Sequence, residues 1–151
     1  MNEFQSIDDI LDFAINSEQE AIDFYTNLAN QARRETMKDV FLQFAKEENG
    51  HKERLTKIKK NKSFQFKEKN IPKLKIADYK VEVEPNPNMR YEDALVLAMN
   101  KEKSAFKLYN DLANSSPNAE LRDLFLALAQ EEAKHKLRFE IEYDDNVMQE
   151  N

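Results

Sequence analysis

The chain has 151 residues, enough for one domain with a sizeable core, here read as a single unit over 1–151. A net charge of −6 with a pI near 5.1 argues against nucleic acid as the main partner. The absence of cysteine excludes disulfides, thiol nucleophiles, thiolate metal sites and iron–sulfur clusters from these residues.

The N-terminus, MNEFQSIDDI, is acidic and has no apolar core, and the longest apolar run, Ala94 to Met99, is far too short to cross a bilayer. The expectation is a soluble cytoplasmic protein with no membrane partner. One glycine and four prolines in a chain rich in Ala, Leu, Glu and Lys favour helix over sheet.

The first helix is predicted from about Ser6 to Gln31, with Ser6 and Asp9 spaced as in a capping box. Its apolar stripe is Ile7, Leu11, Ala14, Ala21, Ile22, Tyr25, Leu28 and Ala29, and Glu18 sits in the gap of that stripe. The second helix runs from about Glu35 to Lys60. A connection of about 28 residues, 61–88, follows, and Pro72, Pro85 and Pro87 keep much of it from being one long helix. Within it, Phe64, Phe66, Val81 and Val83 suggest that part of the crossover packs on the rest. Lys57 to Lys80 holds nine lysines against Glu68 and Asp78, a local +7 that reads as a solvated segment or, more sharply, as a docking surface for an acidic partner.

The third helix is predicted from about Met89 to Asn114, where Glu102 fills the gap in the stripe Leu95, Ala98, Met99, Ala105, Phe106, Tyr109, Leu112, Ala113. The fourth starts at Ser116-Pro117, a good N-cap followed by a first-turn proline, and continues to about Tyr143. Short loops make helices one and two, and three and four, antiparallel hairpins.

An internal repeat ties the hairpins together. An offset of 84 aligns AINSEQEAIDFYTNLAN (14–30) with AMNKEKSAFKLYNDLAN (98–114) at eight identities in seventeen. The same offset aligns FLQFAKEENGHK (41–52) with FLALAQEEAKHK (125–136) at seven in twelve. Two hairpins joined by one long crossover give the topology of an all-α, ferritin-like four-helix bundle.

Six polar residues occupy the apolar faces: Glu18, Glu48, His51, Glu102, Glu132 and His135. A lone glutamate on such a face is usually a stripe edge with its head in water, and a lone histidine is usually a satisfied core residue. Here the only two histidines of the chain fall at equivalent repeat positions, each three residues after a glutamate. Four carboxylates converging on a core would repel one another and lose hydration worth several kcal/mol each. Two divalent cations would neutralise them, and each Glu-x-x-His presents both side chains on one helix face. Oxygen and nitrogen ligands together suit iron or manganese, with zinc as an alternative.

The repeated F-x-x-[FL]-A-x-E-E-x-x-H, with Glu18 and Glu102 each seven residues before Tyr25 and Tyr109, resembles the rubrerythrin di-iron domain of the ferritin-like superfamily. The similarity covers both hairpins. It implies that Glu18, Glu48, His51, Glu102, Glu132 and His135 are ligands of two iron ions, and that Tyr25 and Tyr109 orient carboxylates. Ordinary packing is the alternative role for the tyrosines. Glu47 and Glu131 are read as flanking the stripe, with support of the ligands from behind as the alternative.

Two departures from the family pattern matter. The cysteine-ligated rubredoxin module of full-length rubrerythrins has no counterpart in these residues, so electrons are expected from an external donor protein. The extra metal-binding glutamate that the family carries one turn after the third-helix ligand is Ala105 here. The resemblance implies a peroxide- or dioxygen-reducing di-iron enzyme and a homodimer. A ferroxidase-type iron-handling protein and a non-enzymatic, metal-stabilised interaction module are the other readings.

Overall fold

The computed structural model describes residues 3–61, 74–81, 89–116 and 118–150, without the side chains of 148–150. Four helices dominate: α1 (Ile7–Gln31), α2 (Glu35–Asn61), α3 (Tyr91–Asn114) and α4 (Ala119–Glu150). Shifting the start of α1 or α2 by 84 residues lands on the start of α3 or α4, so the repeat seen in the sequence is a repeat of structure. α1 packs along α2, α3 packs along α4, and α1 also meets α3, which gives the all-α four-helix bundle.

Local chemistry sets the helix ends. Ser6 is extended, and its Oγ accepts from the Asp9 N–H at 3.1 Å. The returning bond of a capping box goes elsewhere, because Asp9 Oδ2 accepts from the Gln5 N–H at 3.3 Å. The fourth helix does not start at Ser116-Pro117. Asn118 Oδ1 accepts from the Leu121 N–H at 2.8 Å and caps a helix beginning at Ala119, while Ser116 Oγ donates back to the Leu112 carbonyl at the end of α3. α4 also continues past Tyr143 to Glu150.

The apolar faces form two separate core clusters. One gathers Leu11, Leu55, Tyr109, Leu112, Leu121 and Phe125, with Phe4 and Tyr79 packed in. The other gathers Phe24, Tyr25, Leu28, Phe41, Leu95 and Phe139. Burying each large side chain contributes about 1.5–3 kcal/mol relative to leaving it exposed. Between the clusters lies the layer that holds Glu18, Glu48, His51, Glu102, Glu132 and His135.

Part of the crossover is pinned to the bundle. The Phe4 N–H donates to the Leu74 carbonyl at 3.1 Å, a short 3₁₀ turn spans Ile76–Asp78, and the Tyr79 hydroxyl donates to Asp111 Oδ2 at 2.7 Å. Val81 packs against the second cluster as its sequence suggested, whereas Phe64, Phe66 and Val83 lie outside the described residues. No helix among the described residues is long and apolar enough to cross a membrane.

Candidate metal centre

Helical periodicity brings one polar residue of α1, two of α2, one of α3 and two of α4 to the same level of the bundle. All six are at most 3% exposed. They form two overlapping groups. Glu18, Glu48, His51 and Glu132 each offer one ligand atom within 4.8 Å of the others, and so do Glu48, Glu102, Glu132 and His135. Glu48 and Glu132 belong to both groups, one from each Glu-x-x-His helix.

The donor atoms face one another without partners. Glu18 Oε2, Glu48 Oε1, His51 Nδ1, Glu102 Oε2, Glu132 Oε1 and His135 Nδ1 are all buried and make no hydrogen bond, one atom from each of the six residues. A buried polar atom left unpaired costs about 1–3 kcal/mol, and more when charged. Six such atoms in one place are a donor set that cations would satisfy. The histidine nitrogens turn toward the opposite hairpin: His51 Nδ1 lies 2.9 Å from Glu132 Oε1, and His135 Nδ1 lies 3.1 Å from Glu48 Oε1.

The outer histidine nitrogens are held from across the bundle. His135 Nε2 is 2.7 Å from Glu47 Oε2, and His51 Nε2 bonds to Glu131 Oε2. Glu47 and Glu131 are therefore not idle flanks of the stripe. Each is half exposed, with its carboxylate on the back of the other hairpin's imidazole. In a neutral ring, a proton kept on Nε2 by the glutamate leaves the Nδ1 lone pair directed at the cluster. The repeated Glu-Glu pair was the signal for this arrangement, but spacing within one helix does not show what lies across from it.

Tyr25 and Tyr109 are fully buried and also work across the bundle. The Tyr25 hydroxyl donates to Glu102 Oε1 on α3, and the Tyr109 hydroxyl donates to Glu18 Oε1 on α1. Burial, and then the charges of the neighbouring glutamates, pushes both phenols well above their usual range, so they remain donors. Phe44 stacks on His135 at 4.1 Å between ring centres and closes that side of the cluster.

The buried carboxylates and imidazoles shift one another's protonation. Burial, reinforced by the other carboxylates, holds Glu48 and Glu132 well above the usual carboxylate range. Burial acts the same way on Glu18, but its close neighbours Glu48, His51 and the donating Tyr109 hydroxyl outweigh it and lower Glu18. Burial works against a charged His135, yet Glu102 and Glu48 raise it to about 10, and Glu18 and Glu131 raise His51 in the same way. The residues present thus fit a pair of divalent ions in number, donor type and charge.

Further contacts were not read from the sequence. Glu142 is 4% exposed and is held by Arg34 at the start of α2 and by the Tyr91 hydroxyl of α3 at 2.7 Å, which ties three helices together at one end of the bundle. A cavity of about 200 Å³ between α1 and α3 reaches Glu18, Glu48, Glu102 and Glu132, and Tyr79, Lys80 and Val81 of the crossover border it. Ala105 lines this cavity together with its repeat counterpart Ala21.

The wider comparisons agree with this architecture. A crystal structure of a ferritin-like diiron-carboxylate protein from Thermotoga maritima matches over 97% of this chain and 99% of that one, with a TM-score of 0.79 at 21% identity. That likeness concerns the fold. No curated protein matches the chain. The family model described as Rubrerythrin matches residues 9–143, a span that contains both hairpins and all six clustered residues, and the chain belongs to the rubrerythrin family.

Proposed function

We propose that this protein is a non-haem di-iron oxidoreductase that reduces hydrogen peroxide or dioxygen with electrons from an external donor protein. In this reading Glu18, Glu48, His51, Glu102, Glu132 and His135 hold two iron ions, in preference to manganese or zinc. The observation that carries it is the set of six buried, unpartnered donor atoms, one from each residue. Membership of the rubrerythrin family supports the choice of metal.

Two bound iron ions would supply reducing equivalents next to positions where an oxygen species can bind. The chain supplies the rest. Glu48 and Glu132, which belong to both groups, would serve both ions, while Glu18 and Glu102 would each serve one. Glu131 and Glu47 fix the imidazoles so that Nδ1 faces inward. Tyr25 and Tyr109 occupy one oxygen of Glu102 and Glu18, which leaves the other oxygen of each directed at the cluster. Because their phenols hold their protons tightly, the tyrosines orient carboxylates rather than supply protons.

The test is metal content after anaerobic iron loading and desalting, followed by an absorption spectrum on adding one equivalent of peroxide. About two irons per chain, in line with the two donor groups, and rapid oxidation of the reduced protein by peroxide are expected. Retained iron that peroxide does not oxidise any faster would defeat the peroxidase reading. No retained iron would defeat the metal reading.

A further inference from the structure

The cavity between α1 and α3 is much larger than a diatomic oxidant needs. A single water requires only about 10–15 Å³ of such space, whereas this cavity measures about 200 Å³. Its inner end is bounded by the carboxylates and would be taken up by metal ions. Its outer part extends past them, with Phe13, Ala21, Val81, Ala105 and Leu108 as its apolar wall and Asn16, Ser17 and Ser104 as polar neighbours. At positions 21 and 105, symmetric in the repeat, side chains end at the Cβ, and this leaves the passage open from both helices.

The rim has the opposite chemistry. Lys80 on the crossover and half-buried Lys101 on α3 border the cavity, with Glu20 as the one acidic residue outside the cluster. Glu20 is already engaged, since its Oε1 accepts from Asn16 at 3.3 Å. Lys80 and Lys101 are the two basic residues that line the cavity, and an anion entering it would meet them before the carboxylates at its inner end. An apolar pocket with a few convergent charges is the usual form of a small-molecule site.

We infer that this cavity binds a small amphipathic carboxylate, with its charged head between Lys80 and Lys101 and its apolar tail between Ala21, Ala105 and Leu108. The ligand lies beside the proposed metal centre and rests on that reading only for whatever chemistry follows binding. The binding itself uses the cavity wall and the two lysines.

The experiment is a titration of the protein as purified with octanoate, followed by the methyl resonances of Ala21 and Ala105, with metal content measured on the same sample. Octylamine serves as the tail-matched cation. Saturable shifts of both methyls by octanoate are expected, with affinity for octylamine at least tenfold weaker. Ala105→Phe should abolish the binding by filling the passage, and Lys80→Gln with Lys101→Gln should weaken it about tenfold without touching the wall. The lysine double variant keeps the test intact if Ala105→Phe does not fold. Absent methyl shifts, equal binding of octylamine, or unchanged affinity in the lysine variant would each overturn the inference. Two irons retained after loading without octanoate binding would sink the ligand alone, and octanoate binding by protein that retains no iron after loading would sink the metal centre alone.

Discussion

His51 and His135 show how a side chain is defined by both of its edges. One ring nitrogen faces the cluster and the other meets a glutamate from the opposite hairpin. His135→Ala is expected to abolish metal retention at its side of the cluster with the helical circular dichroism unchanged, and unchanged metal content would remove this residue from the donor set. Glu131→Gln keeps a hydrogen-bond acceptor but removes the charge behind His51. A 10–100-fold loss of metal affinity with no loss of fold is expected, as is usual for a group that orients a ligand. The protons held by the metal-free cluster give a further test. His135 is raised to about 10 and so holds its proton at neutral pH, and burial with mutual repulsion holds Glu48 and Glu132 well above the usual carboxylate range. Metal must displace those protons, so affinity should rise with pH and each binding event should release protons, measurable by calorimetry in buffers of different ionisation enthalpy. Affinity that falls between pH 6 and 8 would contradict the assignment. The six clustered residues were legible in the sequence because each breaks an apolar period at a repeated position. The hydroxyl partners were not, since periodicity tells which face a residue occupies and not which atom lies across the bundle.

Gly50 is a problem that belongs to a helix rather than to a site. It sits in regular α2 between Glu48 and His51, and a Cβ added there would meet nothing within 4 Å. Neither close backbone approach nor a bulge explains it. The equivalent position on α4 is Lys134. Gly50→Ala should therefore stabilise the protein by about 0.5–1 kcal/mol, the usual helix-interior cost of glycine. A rise in Tm of about 2–4 °C per kcal/mol is expected for a chain of this size, and a fall would reveal a constraint that the geometry does not show. Helix boundaries were legible where an N-cap was unambiguous, as at Ser6. The fourth was misplaced because Ser116 and Asn118 both have capping chemistry, and the choice between them depends on where α3 ends. The docking of Tyr79 was not visible either, since its partners Asp111 and Ser104 lie far along the chain.

At the scale of the whole molecule, the repeat serves as its own control for surface character. Of the six exposed large hydrophobics among the described residues, Val96, Phe106, Leu126, Leu137 and Ile141 lie on α3 and α4, and only Leu42 lies on the first hairpin. The counterparts of Val96, Leu137 and Ile141 in the first hairpin are Asp12, Glu53 and Lys57. Packing within the bundle does not require this difference. We expect the second-hairpin face to pair with a second copy. Two adjacent helices about 36 Å long and about 20 Å across give a footprint of about 700 Å², close to the roughly 800 Å² per partner of a stable interface. Sedimentation should show a dimer that Leu137→Glu converts to monomer, and a monomer at every concentration would refute it. The crossed bonds inside the bundle carry a different lesson. Tyr25 serves Glu102, Tyr109 serves Glu18, Glu131 serves His51 and Glu47 serves His135, so each hairpin completes the other and neither completes itself. One hairpin already contains every residue type the centre uses, lacking only a mate in the reversed orientation. The chain is thus two half-sites in one molecule, and separating the hairpins would leave each with donors that point at nothing.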